Sequence, residues 1–179
     1  MLLERERTMD RNDRVWYACY GSNLKATRFK CYIVGGYCPC NGKHYRGCAD
    51  KTLWADSKVG RFNGELYFGN ESGTWDGKGV AFFDPEAAGT VIMRLYLITW
   101  AQILDVQGQE GAFPRWYGRL VSLGEENGIP IYTFTSESRR PANPPSEKYL
   151  AAIREGLIEC GIPVQTANSY LNKAVNTEL

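Results

Sequence analysis

A short apolar run that ends in a tight polar turn constrains the fold of this chain most. Residues 15–19 (VWYAC) are rich in β-forming side chains and predict a buried strand. Residues 24–29 can form a helix with Ser22 or Asn23 as its N-cap. The residues between are a strand-to-helix turn, in which Gly21 permits close approach of a ligand or a positive φ. The turn suits a carboxylate or an oxyanion, and it equally suits an ordinary capped turn.

The remaining chain mixes strand and helix patterns. Strands are predicted at 62–68, 80–83, 90–98, 116–123 and 129–135. Thr99 and Gln102 form a capping-box pattern that opens a helix, and Ser146 is the predicted N-cap of a second one. Thr166 is the predicted cap of a short last helix. About six strands with three helices at intervals indicate an α+β fold.

Length and charge limit the class of protein. The 179 residues suit one domain, predicted over 15–175, behind a flexible charged tail at 1–14. A net charge of +1 gives no footprint for nucleic acid, and no apolar stretch is long enough to cross a membrane. The first residues contain no apolar signal-peptide core, so we expect a cytoplasmic protein whose six cysteines are mostly reduced.

Residues 31–58 lose all periodicity and predict an irregular excursion. Within it, Cys38, Cys40, His44 and Cys48 are residue types that bind structural zinc. Their spacing matches none of the common zinc frameworks, because no CxxC pair is present. We therefore expect free cysteines in a loop and no metal.

Several segments resemble the gamma-glutamylcyclotransferase-like family. The turn matches the YGSN loop of that family, and Gly79–Phe83, Leu104-Asp105 ahead of Glu110-Gly111, and Pro145-Ser146 with Tyr149 follow in the family's order. The resemblance runs in patches from about residue 15 to 170. It implies a mixed sheet, curled or closed into a small barrel, with helices packed outside.

The resemblance also implies a reaction and a site. In the family, the free α-amine of a gamma-glutamyl group attacks its own γ-carbonyl, which releases 5-oxoproline and an amine or amino acid. No cofactor is needed, since the nucleophile belongs to the small-molecule substrate. Glu110 matches the family's proton-carrying glutamate. The implied substrate-binding residues are Tyr20, Gly21, Ser22, Asn23, Leu24, Tyr117 and Tyr149.

Two departures from the family leave alternatives open, and one of them is the 31–58 excursion, which is unlike the compact pattern expected for the family. The segment between Leu104-Asp105 and Glu110 is longer than in the family, which shifts Glu110 by up to most of a helical turn. An alternative is therefore that the protein is a catalytically silent binding module, which uses the same pocket to bind a gamma-glutamyl or acidic ligand without turnover. A nucleophile built from Cys19 and His44 is a further enzyme class, although buried strand cysteines are usually inert. The pocket tyrosines are equally compatible with core positions.

Overall fold

The computed structural model of the protein describes residues 9–111 and 116–176. These ranges contain nine strands and four α-helices. The strands are β1 (Arg14–Cys19), β2 (Gly36–Cys38), β3 (Lys43–Tyr45), β4 (Ser57–Asn63), β5 (Glu65–Ser72), β6 (Lys78–Asp84), β7 (Thr90–Thr99), β8 (Arg119–Glu126) and β9 (Ile129–Thr135). The helices are α1 (Ala26–Val34), α2 (Trp100–Gln109), α3 (Glu147–Glu159) and α4 (Val164–Asn176).

Five strands form one mixed sheet in the order β4-β7-β1-β9-β8. The central strand β1 pairs antiparallel with β7 and parallel with β9. Every residue of β1 after Arg14 is buried, as the apolar run predicts. The predicted α+β class with a mixed sheet is thus confirmed, and the turn after β1 leaves from the middle of that sheet.

The single strand predicted over 62–68 is wrong. Gly64 has a φ of +136°, and it separates β4 from β5. β5 leaves the large sheet and pairs with β6 in a two-stranded sheet of its own. The Thr135 hydroxyl accepts from Phe83 N at 3.2 Å and donates to Phe83 O at 2.7 Å, and so ties β6 to the end of β9.

The segment predicted to be irregular, 31–58, contains regular elements. Helix α1 continues to Val34, because Phe29 and Ile33 lie one helical turn apart and both are buried in the core. β2 and β3 then form a hairpin. Its base is closed by Gly35 and Gly47, both with positive φ, where a Cβ on Gly47 would lie 2.7 Å from Gly35 N. Apart from Gly35 and the hairpin turn at 39–42, only the stretch from 46 to 56 of this segment lacks helix and strand.

The predicted charged tail lies partly outside the described residues, which begin at residue 9. The described part is tied to α2. Arg11 O accepts from Ala101 N at 3.0 Å, and Asp13 O accepts from Trp100 N at 2.8 Å. These carbonyls pair amides at the start of the helix, so the chain joins the fold before the predicted boundary at residue 14.

The helix caps predicted at Thr99 and Ser146 are confirmed. Thr166, the predicted cap of the last helix, instead lies inside α4, which begins at Val164. Thr99 and Gln102 form the complete capping box, and the Ser146 hydroxyl accepts from Tyr149 N at 3.2 Å. Buried apolar side chains of both sheets described above and of all four helices form one cluster. Among the described helices, none is long and apolar enough to cross a lipid bilayer.

Candidate functional site

The turn after β1 is a 3₁₀ turn over Ser22–Leu24 rather than the first turn of an α-helix. Leu24 N donates to Gly21 O at 3.0 Å, and Lys25 N donates to Ser22 O at 3.1 Å. The N-cap of α1 is consequently Lys25, without a side-chain cap, and not Ser22 or Asn23 as predicted. The extra turn moves the helix start away from the polar side chains that were expected to cap it.

The start of α1 is already occupied by a carboxylate. Glu159 Oε2 accepts from Ala26 N at 2.9 Å. Among the described residues, the amides of Gly21 and Asn23 have no hydrogen-bond acceptor. An anion at this turn would therefore use amides of the turn itself, and not the N-terminus of the helix.

Gly21 is required by close packing and not by a left-handed backbone, since its φ is −105°. A Cβ at this position would lie 2.9 Å from the Tyr149 hydroxyl and 3.4 Å from Ala81 Cβ. That hydroxyl accepts from Ala81 N at 3.1 Å, and the Tyr117 hydroxyl donates to Ala81 O at 2.8 Å. Two tyrosines thus hold the backbone N–H and C=O of one residue of β6, Ala81, against the turn.

Glu110 caps the C-terminal end of α2, as the sequence predicts. Asn23 Nδ2 donates to Glu110 Oε1 at 2.7 Å, and this bond connects the turn to the carboxylate. The side chain is half-buried. Burial raises the pKa of Glu110 above its usual value, while the charge of Arg28 and hydrogen bonds from Asn23 and Tyr32 act in the opposite direction. The result is a carboxylate with increased basicity.

Both the backbone and the side chain of Asn23 are fixed by hydrogen bonds. Its backbone carbonyl accepts from the Tyr96 hydroxyl at 2.9 Å, and its side chain is only 4% exposed. Its Oδ1 atom is buried without a hydrogen-bond partner. A buried carbonyl without a donor is costly, so this atom is suited to accept from a bound ammonium or amide.

Two adjoining cavities surround Glu110. The inner pocket is about 40 Å³ and is enclosed by the turn and by side chains of the large sheet. The outer cavity is about 380 Å³. Both are lined by Ser22, Glu110, Tyr117 and Tyr149. One water needs roughly 10–15 Å³, so the inner pocket has room for a group the size of a carboxylate, and a larger substituent must extend into the outer cavity.

The structure places seven of the eight predicted site residues at these cavities. The inner pocket is lined by Tyr20, Gly21, Ser22, Asn23, Glu110, Tyr117 and Tyr149. Leu24 is the exception: it is fully buried and packs in the core where α3 crosses, since a Cβ on Gly156 would lie 2.6 Å from Leu24 Cβ. The prediction that Leu24 contacts a ligand is therefore not supported by its position. Tyr132 packs against Trp100 in the core.

The sequence reasoning missed a group of outer-cavity residues. Arg28 and Tyr32 lie four residues apart on α1, and Lys43 and Tyr45 come from β3. The four-residue spacing of Arg28 and Tyr32 could have predicted that these two side chains lie together, because it puts them on one face of the helix. No pattern in the sequence connects the hairpin with that face.

The rival residues are placed elsewhere or are unreactive. Burial raises the pKa of the Cys19 thiol well above its usual value, so the thiolate needed for attack is disfavoured. His44 stacks beside Tyr37 on the hairpin and lines neither cavity. Asp105 accepts from Ala49 N at 2.8 Å and also lies outside both cavities.

All six cysteines are free thiols. Cys38 and Cys40 have Sγ atoms 2.8 Å apart. Within residues 9–111 and 116–176, no three His, Cys, Asp or Glu side chains are arranged to hold a metal ion. The absence of a metal stays a prediction.

Solved structures share this architecture. A gamma-glutamyl cyclotransferase has a TM-score of 0.66 at 21% identity, with 92% of this chain and 89% of that chain covered. An uncharacterized protein from Homo sapiens has a TM-score of 0.65 at 20% identity, with the same shares covered. YkqA from Bacillus subtilis has a TM-score of 0.66 at 16% identity, covering 98% of this chain and 57% of that one. The chain has the gamma-glutamyl cyclotransferase-like fold. At these identities the likeness concerns the fold alone.

Sequence comparison gives a different name. No protein-family model matches the chain. Histone deacetylase 5 from Arabidopsis thaliana is 32% identical over 206 aligned positions, which cover 92% of this chain and 31% of that protein. The chain therefore spans about a third of the length of this relative.

Proposed function

We propose that this protein is a gamma-glutamyl cyclotransferase-type enzyme, which releases 5-oxoproline and an amine or amino acid from a gamma-glutamyl substrate. The observation that carries the proposal is the hydrogen bond between Asn23 and Glu110. It joins the YGSN-like turn to the carboxylate at the junction of a small pocket and a large cavity. The fold neighbours support the same proposal at the level of architecture. We also propose that residues 15–175 act as one domain.

The substrate's glutamyl end is proposed to enter the inner pocket. Its α-carboxylate accepts from the free amides of Gly21 and Asn23, and its α-ammonium lies near Asn23 Oδ1 and Glu110. This arrangement bends the glutamyl chain so that the α-nitrogen approaches the γ-carbonyl. Holding the two reacting groups together is the largest contribution expected for an intramolecular attack.

Glu110 is proposed to carry the proton. Its carboxylate takes a proton from the α-ammonium, and the freed amine forms a bond to the γ-carbon. When the γ-carbon–nitrogen bond of the leaving group breaks, the protonated Glu110 returns the proton to the departing nitrogen. The ring nitrogen then loses its second proton to the Glu110 carboxylate, which passes it to the released amine, so that 5-oxoproline and an ammonium group are formed and Glu110 is again ionised. The raised pKa suits this role, since a stronger base takes the first proton more readily. The Tyr149 hydroxyl lines the same space, and because it accepts from Ala81 N it keeps its own hydrogen to donate to the oxyanion.

The test is a panel of gamma-glutamyl compounds, in which release of 5-oxoproline is measured. The panel spans a gamma-glutamyl tripeptide, gamma-glutamyl amino acids, gamma-glutamyl amines and an ε-lysine isopeptide. Release from at least one class is expected. Binding of these compounds without release from any of them would support the silent binding module instead. We do not carry over deacetylase activity from the Arabidopsis relative, because the aligned part is 31% of that protein.

A further inference from the structure

The outer cavity has a cationic wall that the proposed proton transfer does not use. Arg28, on α1, lines this cavity and is only 3% exposed. A single hydrogen bond is made by its guanidinium, from Nη2 to the Tyr32 hydroxyl at 2.9 Å. Its Nε and Nη1 atoms are buried without any hydrogen-bond partner. An arginine with two unsatisfied nitrogens is unusual in a protein interior, because burying an unpaired charge is costly.

The surroundings of Arg28 neutralise its charge only in part, through the Glu110 carboxylate. Among the described residues, no carboxylate forms an ion pair with it. The rings of Tyr32 and Tyr45 each lie 4.5 Å from the guanidinium carbon, and such contacts are weaker than an ion pair. Glu110 lines the same cavity but is engaged by Asn23. Because Lys43 lines this cavity as well, the two cationic side chains outnumber the single carboxylate of Glu110 among the described lining residues.

Two further groups on the hairpin face the same space. Lys43 lines the cavity, is exposed, and reaches across to the Thr74 hydroxyl. The Tyr45 hydroxyl accepts from Asn41 Nδ2 at 2.7 Å, which leaves its own hydrogen to donate. Arg28, Lys43 and Tyr45 together offer donors of the kind that bind a carboxylate.

We propose that the outer cavity binds a carboxylate on the leaving group, so that the preferred substrates are gamma-glutamyl amino acids or peptides rather than gamma-glutamyl amines. This inference rests on the proposed function, because the inner pocket must hold the glutamyl end for the leaving group to reach this wall. The carboxylate lies between Arg28 at the wall and Lys43 at the rim, with Tyr45 as a third donor. Charge-assisted hydrogen bonds of this type discriminate strongly against a ligand that lacks the carboxylate.

The test compares gamma-glutamylalanine with gamma-glutamylethylamine, which is the same molecule without the leaving-group carboxylate. For the unmodified protein, we expect kcat/KM for 5-oxoproline release to favour gamma-glutamylalanine by about tenfold or more. Arg28→Gln is expected to lower this ratio by about tenfold, and Lys43→Gln by about two- to threefold because that side chain is exposed. Lys30→Gln, on the exposed side of α1, removes the same charge outside both cavities and is the control.

The ratio separates this role from others. Loss of Arg28 also changes the field at Glu110, but that effect is common to both substrates and cancels in the ratio. If both substrates lose activity equally in Arg28→Gln, the arginine serves the shared glutamyl end and the proposal is wrong. Since Arg28 is buried, its variant is checked for folding by circular dichroism. The exposed Lys43→Gln provides the second reading, and an unchanged ratio there and in Arg28→Gln contradicts the proposal.

Failure of the proposed function has a different signature. If neither compound releases 5-oxoproline, calorimetric titration measures the affinity of the protein for each of the two compounds and tests the carboxylate subsite without turnover. Tighter binding of gamma-glutamylalanine that is lost in Arg28→Gln supports the carboxylate subsite without turnover. Equal binding of the two compounds, or binding of neither, overturns it.

Discussion

The inner pocket and the outer cavity are built in different ways. The inner pocket is formed by a turn from the central strand β1, by a helix end and by Ala81 of β6, which two tyrosines hold. The outer cavity takes a large part of its wall from the β2–β3 hairpin and from the 3₁₀ turn Gly73–Trp75. Residues on a rigid sheet can position reacting atoms, whereas residues on connecting segments tolerate change. This difference supports the proposal that the first region carries the reaction and the second determines the choice of substrate.

The largest expected effect comes from Glu110→Gln. The amide keeps the hydrogen bond from Asn23 but cannot take up a proton, so kcat should fall by about 10² or more for every gamma-glutamyl substrate. Ligand affinity from calorimetry should change little. Asp105→Asn is the control, since Asp105 bonds to Ala49 N outside both cavities. A decrease in kcat for only one substrate class would contradict the proposed division between reaction in the inner pocket and substrate choice in the outer cavity.

Gly21→Ala should have the next largest effect. The added Cβ lies 2.9 Å from the Tyr149 hydroxyl, and it displaces the tyrosine that supports the turn. We expect affinity for all gamma-glutamyl ligands to fall by about tenfold, because an imprecise site loses binding and catalysis together. Gly108→Ala is a matched change on an exposed helical position whose Cβ meets only Arg46 Nη2, at 3.6 Å. Unaltered affinity in folded Gly21→Ala protein would exclude the turn as the ligand site.

Tyr117→Phe should give a smaller loss. The change removes the donor to Ala81 O and should reduce the free energy of unfolding in urea by about 1 kcal/mol, with a few-fold decrease in kcat. Tyr37→Phe, at a tyrosine that is 58% exposed on the hairpin, serves as the control. Equal effects of the two changes would show that the hydroxyl bond to β6 has no special role.

The pH dependence of stability should also follow Glu110. Its pKa is raised in the folded protein, so the folded state keeps the proton to higher pH than the unfolded state does. The corresponding stability is present below the unfolded pKa of about 4.3 and is lost as pH rises through the folded value. Glu110→Gln has no such loss. The free energy of unfolding of the variant, relative to that of the unmodified protein, should therefore increase between pH 4 and 7. A constant difference across this range would contradict the shift.

The smallest expected effect is that of metal removal. We expect far less than one equivalent of zinc in protein purified without added metal, and no change in melting temperature on addition of a chelator. Stoichiometric zinc that resists chelation would make the hairpin a metal-stabilised element. In that case the wall of the outer cavity would be as rigid as the inner pocket, and the comparison would need revision.

The sequence predicted two local caps correctly, but it did not predict the helix starts near Ser22 and Thr166 or the contacts between distant segments. Thr99 and Ser146 were correctly predicted as helix caps, because capping depends on residues within one turn. The predicted strand over 62–68 failed, since a single glycine between two apolar segments does not reveal that the chain changes sheets there. Leu24 was assigned to the ligand from its place in the motif, but its side chain packs on α3, more than a hundred residues later in the chain.

The cationic wall illustrates the same limit. Arg28 alone in a helical pattern is compatible with a solvated surface charge, which is the usual environment of arginine. Its burial depends on Tyr45, which reaches it only because the hairpin folds back over α1. Contacts that require a tertiary arrangement between non-neighbouring segments leave no periodic trace in the sequence.

The closed base of the hairpin has an evolutionary consequence. Gly35 and Gly47 meet where the hairpin leaves the core, and Cys48 N donates to Ile33 O directly below them at 2.9 Å. Because the base of the β2–β3 hairpin is fixed in this way, the hairpin can be shortened, lengthened or replaced while the residues of the inner pocket keep their positions. Proteins that descend from one ancestral scaffold can thus change their substrate specificity by changing this hairpin, while the residues of the inner pocket stay the same.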